Sequence, residues 1–389
     1  MTVKIAGYAR TPFLRFNGAL ANVPASELGA HAARAALERA GVPADKVQQV
    51  YAGQVLQAAA GQNPARQSAV GAGIGLDVPA ITLNAVCLSG TEAVVAAARL
   101  ITAGEADVVL AIGQESMSLA PHAQRARAGS KYGAIEMVDT LEYDGLTDAF
   151  EKRSMGVSTE EHNTVLGLGR ESQDRLAAAS HQRAEASAEF LAGEIAPFTV
   201  STRKGETVYS ADDGVRAGTT TESLGRLRAA FAKDGSITAG NSSQITDGAA
   251  ALVLVSDKAV EELGLTPIAE ILSHALVAGP DRTLHEQPSN AITAALERTD
   301  YTAEELQAVE INEAFAAVGV RSIQQLGIDG NIVNPHGGAI ALGHPIGASG
   351  ARIIGTLARQ LAALGAGAVG ATGICGGGGQ GSAVVLRAL

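Results

Sequence analysis

Residues 32–50, AARAALERAGVPADKVQQV, reappear as residues 291–309, AITAALERTDYTAEELQAV, with nine of nineteen positions identical and no gap. Ser89-Gly90 and Ser349-Gly350 form a second matched pair. Each opens an apolar helical stretch, and each is followed by an apolar run ending in Gly113 or Gly373. The two offsets differ by one residue. Self-similarity at this spacing means that one α/β unit occurs twice. Such a unit covers one sheet face with its own helices and needs a neighbour for the other. Two copies packed together meet that need. A pseudo-twofold axis between them brings equivalent loops of the two halves to one place.

The first half alternates strand and helix. Apolar periodicity and turn residues predict strands over residues 4–8, 47–55 and 81–83 and helices over 26–40, 63–73 and 89–102. Residues 107–113, DVVLAIG, are apolar without alternation, which suits a strand covered on both faces, as in a mainly parallel sheet. From about 119 to 245 the texture changes. Charge, Gly, Ser and Thr increase, and two polar helices are expected at 160–166 and 172–190. This stretch reads as an inserted lobe. The strand pattern resumes at 249–255. The division expected is therefore 1–118 with 246–266 as the first half, 119–245 as the insertion, and 267–389 as the second half.

Composition narrows the function classes. With 389 residues, more than one core is expected. Trp is absent and aromatics are 3%, so the core must be closely packed Ala, Val, Leu and Ile, helped by 46 glycines. No unbroken apolar run has the length of a membrane span. A net charge of −11 argues against nucleic acid or an anionic membrane as partner, although Arg203, Lys204 and Arg216 could meet a small anion. Cys87 and Cys375 are too few for a disulfide scaffold. The N-terminal residues lack signal-peptide character and Arg387-Ala388-Leu389 is no peroxisomal address, so a cytoplasmic protein is expected.

Chemistry concentrates at a few stretches. Asn84-Ala85-Val86-Cys87-Leu88-Ser89-Gly90 sets a thiol just before an apolar helix, where Ser89 with Glu92 fits a capping box. The helix dipole there favours thiolate. A lone cysteine is ordinarily an inert buried side chain. The repeat argues otherwise: it sets Asn84 against His344 and Glu115 against Cys375, so loops of both halves carry reactive groups. His344 lies in GHPIGASG, Cys375 in CGGGGQG, and Asn312 in NEAF at a strand-to-helix junction. Asn312 could simply cap its helix. The two cysteines and the histidine lack a zinc spacing, and no P-loop or Rossmann fingerprint occurs.

These stretches, with GQESMS at 113–118, DGLTDAF at 144–150, AGN at 239–241 and DGAA at 247–250, resemble the thiolases along essentially the whole chain. Thiolases are CoA-dependent acyltransferases that form or cleave 3-ketoacyl-CoA. The resemblance implies a duplicated five-layer α/β/α/β/α fold and a ping-pong reaction through an acyl-Cys87 thioester. It implies that His344 takes the thiol proton, Cys375 acts on the acetyl methyl, and Asn312 holds a water that with His344 faces an enolate oxygen. The N–H groups of Cys87 and Gly377 would form a second oxyanion hole. It places CoA contacts at Leu146, Met155, Arg216, Ser223, Phe231, Ser243 and Phe315. No cofactor is implied, CoA being a substrate, and a homo-oligomer, dimer or tetramer, is expected.

Two places depart from the short-chain acetoacetyl-CoA pattern. Ser154 stands where those enzymes carry His before Met-Gly, and residues 284–290, LHEQPSN, replace a Met-Gly-x-Gly-Pro-x-Pro stretch. The expected reaction is condensation of two acetyl-CoA, or its reverse. A degradative thiolase of broader chain length is the alternative. A non-catalytic thiolase-like protein should lack one of the two cysteines or the histidine, and all three are present.

Overall fold

The computed structural model describes every residue except Met1, Ser130 and Lys204, so the expectation for Lys204 lies outside the described residues. Nine strands follow one another across a ten-stranded main sheet: β1 (Val3–Arg10), β2 (Gln49–Gly53), β3 (Ala80–Leu83), β4 (Val108–Glu115), β5 (Thr246–Ser256), β6 (Ala269–Ala278), β7 (Ala308–Ile311), β8 (Val369–Gly376) and β9 (Gln380–Ala388); the tenth, the short strand Leu14–Arg15, pairs with the start of β5. Their spatial order is β7-β8-β9-β6-β1-β5-β4-β2-β3. The duplication is visible in the pairing. In the first half β1–β5 and β5–β4 are antiparallel, and β4–β2 and β2–β3 are parallel. In the second half β6–β9 and β9–β8 are antiparallel and β8–β7 is parallel, with a parallel bridge from Val309 to Val333 where β3 would lie. Within the sheet the halves join through Val3–Ile5 of β1 against Ala269–Ile271 of β6.

Eight helices frame the layers: α1 (Ala25–Ala40), α2 (Pro64–Gly71), α3 (Ser89–Thr102), α4 (Met155–Val165), α5 (Arg170–Ala186), α6 (Gln287–Leu296), α7 (Ala316–Leu326) and α8 (Ser349–Leu364). Helices α3 and α8 lie between the halves. Val94, Ile101, Ile354 and Leu357 pack in one core with Val109 and Leu252 of the first half and Ile374 and Val384 of the second. Leu28 and Leu37 of α1 cover the far side of the first half at Val50, Leu110 and Val253. Ala291 and Ile292 of α6 cover the far side of the second at Ile311, Ala371 and Val385. Five layers result, as expected. β4 explains the unalternating pattern: Val109 and Ala111 enter the central core while Leu110 and Ile112 enter the outer one, so both faces are buried.

The two central helices touch at their first turns. A Cβ on Gly90 would lie 2.7 Å from the Ala351 nitrogen, and one on Gly350 would strike Thr91. Only glycine permits this approach. It sets the N-terminal ends of α3 and α8 side by side, and with them the loops that carry Cys87 and His344.

Between β4 and β5 the chain makes two small two-stranded ladders, His122–Ala123 with Val138–Asp139 and Phe198–Thr202 with Gly205–Tyr209, together with α4 and α5. Some local expectations shift. The polar helices run over Met155–Val165 and Arg170–Ala186, and a separate short helix covers Ala188–Glu194. The capping box at Ser89 and Glu92 does not form. Leu88 is the residue before the helix, and Ser89 Oγ binds Val86 O and Ala85 N instead. Glu92 accepts from Ser382 Oγ in β9. Tertiary partners outcompete the local cap.

Gly350→Ala should lower folding stability by roughly 1–3 kcal/mol, because the added methyl meets backbone that cannot move independently. Urea denaturation measures this, and an unchanged midpoint would contradict the contact.

Candidate active site

The nucleophile loop is built from local backbone chemistry. Asn84 follows β3, and its Oδ1 accepts from Val86 N at 3.0 Å, closing an Asx turn. Val86 has φ 53°, a left-handed conformation that costs a β-branched residue about 1–2 kcal/mol. The turn presents Cys87 just outside the first turn of α3. The surroundings of the sulfur oppose the thiolate expected from the helix dipole. Burial pushes the Cys87 thiol up to about 12, although its own N–H and that of Gly377 both donate towards the sulfur. Cys87 keeps partial exposure, yet loss of solvation among the packed atoms around it outweighs the half-charge of a helix end.

Cys375 ends β8 and is 1% exposed. Its thiol is also raised, by burial and then by the nearby Cys87. Gly378 and Gly379, at φ 83° and 71°, turn the chain back into β9 and leave the Gly377 N–H facing Cys87.

His344 approaches from the second half. Burial, with Arg352 next in effect, drives its pKa down to about 3, so the ring is neutral. Its Nε2 lies 3.5 Å from Asn312 Nδ2, and its Nδ1 lies 2.6 Å from Ser349 Oγ. Asn312 hangs from its backbone bond to Gly373 O at 2.9 Å. Its Oδ1 is buried and has no hydrogen-bond partner among the described residues.

Glu115, the repeat-equivalent of Cys375, takes a structural place. Its carboxyl accepts from Val55 N, Leu56 N and Gly347 N at 3.0, 3.2 and 2.9 Å. Those bonds tie the end of β4 to the loop that carries His344. Burial still raises it to about 7.

Cys87, His344, Cys375 and Gly377 line one cavity of about 70 Å³, closed by Met155, Leu284 and Ile346. It opens into a channel of about 470 Å³, reached past Leu146, Met155, Ser243, Phe315 and His344 and continuing to Phe231. Asn312 meets the group through His344. Five of the seven expected CoA-contact residues therefore line the channel. Arg216 and Ser223 do not. Both are exposed; Arg216 donates its backbone N–H to His181 Nδ1, and Ser223 forms a capping box with Thr220. Three neighbours escaped the sequence reasoning. Leu284 was known only as a departure from a pattern, Ile346 as part of a motif, and Ser349 as a helix opener. Among the described residues no group of three or more His, Cys, Asp or Glu could hold a metal ion, and no helix is long and apolar enough to cross a membrane.

A neutral thiol beside a neutral imidazole has a testable signature. Alkylation of Cys87 by iodoacetamide, followed by peptide mass, should climb roughly tenfold per pH unit from about pH 5 to 8. A rate flat across that range would mean a preformed thiolate–imidazolium pair. The histidine adds a stability term with the opposite limit. Because its folded pKa is depressed, its contribution is present above about pH 6.5 and is lost as pH falls towards 3.

Comparisons with known proteins agree with this geometry. Residues 3–258 match the family model "Thiolase, N-terminal domain" and residues 265–388 match "Thiolase, C-terminal domain". A protein of Mycobacterium tuberculosis named "Probable acetyl-CoA acetyltransferase" is 52% identical over 391 residues, covering 100% of this chain and 99% of the relative. The "Acetyl-CoA acetyltransferase" of Cupriavidus necator is 45% identical over 389 residues, covering 99% of each chain. The crystal structure of the Bacillus anthracis acetyl-CoA acetyltransferase superposes with a TM-score of 0.96 at 36% identity, covering 100% of this chain and 99% of the other. With a duplicated five-layer fold, two cysteines and a histidine around one cavity, and family matches along nearly its whole length, this chain belongs to the thiolase family.

Proposed function

We propose that the protein is an acetyl-CoA C-acetyltransferase that condenses two acetyl-CoA to acetoacetyl-CoA and CoA, or runs the reverse thiolysis. The observation that carries this reading is the convergence of Cys87, His344, Cys375 and the Gly377 N–H on a single small cavity at the foot of a long channel. A cysteine suits acyl transfer to CoA because its thioester is close in energy to the substrate's.

In both directions the resting enzyme holds two protonated thiols. Cys87 Sγ attacks the C3 carbonyl of a 3-ketoacyl-CoA as His344 Nε2 takes its proton. The oxyanion receives the N–H groups of Cys87 and Gly377. The C2–C3 bond breaks with its electron pair on C2, giving the enolate of acetyl-CoA, whose oxygen faces His344 and the water of Asn312. Cys375 protonates C2, and acetyl-CoA leaves. Incoming CoA gives its thiol proton to the Cys375 thiolate and attacks the acyl-Cys87 carbonyl. Cys87 departs and recovers its proton from His344. Condensation is the same path reversed. No cofactor enters the scheme, since CoA is a substrate.

The channel fits the pantetheine arm, with Leu146, Met155, Phe231 and Ser243 of the lobe formed by residues 119–245 along it and Phe315 of the second half facing them. Arg216 and Ser223, at the surface, are left to the nucleotide end. The unpaired cysteines suit a reducing cytoplasm. Tyr132, 99% exposed, and exposed Ile135 and Met137 support a homo-oligomer, a dimer or tetramer. A place in fatty acid metabolism follows from the substrates of the reaction.

Two experiments test this. Cys87→Ala should lower acetoacetyl-CoA thiolysis at least about 1,000-fold. Cys375→Ala should lose thiolysis comparably and slow the exchange of CoA with acetyl-CoA as well, because the thiol proton of incoming or departing CoA passes through Cys375. Normal turnover in Cys87→Ala would sink the mechanism. The second experiment concerns chain length. Leu284 and Met155 close the cavity at about 70 Å³, which favours the acetyl reading over the degradative one. Leu284→Ala should raise kcat/KM for 3-ketohexanoyl-CoA relative to acetoacetyl-CoA about 5- to 50-fold. A wild-type enzyme that already prefers the longer substrate would hand the function to the degradative reading.

A further inference from the structure

Ser349, the first residue of α8, has no part in the scheme above, yet it touches the base. His344 Nδ1 is 2.6 Å from Ser349 Oγ, and the same oxygen is 3.0 Å from Pro345 O. Pro345 O, which also takes the N–H groups of Ala348 and Ser349, can only accept, and Asn312 Nδ2 can only donate towards Nε2. The arrangement that serves both contacts gives the Ser349 hydroxyl proton to Pro345 and places the ring hydrogen on Nδ1, facing the serine oxygen. Nε2 is left with its lone pair towards Asn312 Nδ2 and the cavity. Both side chains are buried, so no bulk water replaces the contact.

The duplicated half uses the same device on the other loop. Ser89 opens α3, donates to Val86 O at 2.6 Å and accepts from Ala85 N at 2.9 Å. In each copy a serine at the first helical position clamps the loop before it, giving its proton to a carbonyl three or four residues back. The copies differ in what fills the remaining acceptor position. In the first half it is a backbone N–H; in the second it is the imidazole. The burial that keeps His344 neutral makes tautomer, not charge, the variable that decides whether Nε2 can accept.

We infer that Ser349 is a positioning residue that selects the Nδ1–H tautomer of His344, leaving Nε2 free to take the Cys87 proton. The inference rests on the proposed role of His344 as base, and its principal readout does not depend on that role. The ring nitrogens of His344 are observed by nitrogen-15 NMR of histidine-labelled enzyme, assigned by the resonance lost in His344→Asn. The wild type should show a protonated Nδ1 and a bare Nε2. Ser349→Ala should move the ring towards the Nε2–H form, and thiolysis kcat should fall on the order of 100-fold with KM nearly unchanged. Ser349→Thr, which keeps the hydroxyl, should restore most of both. Ser89→Ala loosens the equivalent clamp in the other half and should leave the His344 nitrogens as in wild type. A wild-type spectrum with the proton on Nε2 overturns the inference without any variant. So does a Ser349→Ala enzyme with an unchanged nitrogen pattern, or a Ser89→Ala enzyme that shifts it equally. If the tautomer moves as stated while kcat holds, the assignment of His344 as base fails and the positioning by Ser349 stands.

Discussion

At the molecule's centre α3 and α8 cross at Gly90 and Gly350, where a Cβ on either glycine would strike the other helix. Most of the active site depends on it. Each helix is preceded by a loop from the end of its own half, and neither half holds both a nucleophile and a base. A side chain at either glycine would push the helix ends apart and carry Cys87 away from His344. The five-layer packing supplies the force that holds the helices together, since both bury apolar residues against sheet on two sides. The glycines decide how near they come.

That same packing sets the electrical character of the site. The N–H groups of Cys87 and Gly377 face the Cys87 sulfur just before the start of α3, which would favour anions in water-accessible surroundings. Burial reverses the resting balance. Both thiols are raised and the imidazole is lowered, so the site rests uncharged. The N–H groups of Cys87 and Gly377 are then held ready for charge that arises on an oxygen during reaction, where a fixed donor in a dry site acts most strongly. A pre-ionised thiolate would already occupy them.

Much of the site was legible before any fold was known. The repeat indicated two halves and a shared cleft, and the motifs around Cys87, Asn312, His344 and Cys375 named its reactive groups. What stayed hidden involved contacts between residues far apart. The capping box at Ser89 and Glu92 fitted the local pattern and failed because Val86 and Ser382 were better partners. Glu115 was recognisable as a counterpart of Cys375, yet nothing in its neighbours revealed three backbone donors from residues 55, 56 and 347. Arg216 and Ser223 were expected among the CoA contacts, and both stand at the surface outside the lining of the channel.

The sequence by itself determined the duplication, the strand and helix periods, and which side chains could do chemistry. Those follow from residue type and spacing, which are local. Tertiary structure decided the rest: that Cys87 and Cys375 rest as thiols, that Leu284 and Met155 close the acyl cavity, and that Ser349 faces the imidazole. Solvation and shape belong to the assembled layers, because a side chain's dielectric surroundings and its neighbours across the pseudo-twofold axis come into being only when both halves have packed.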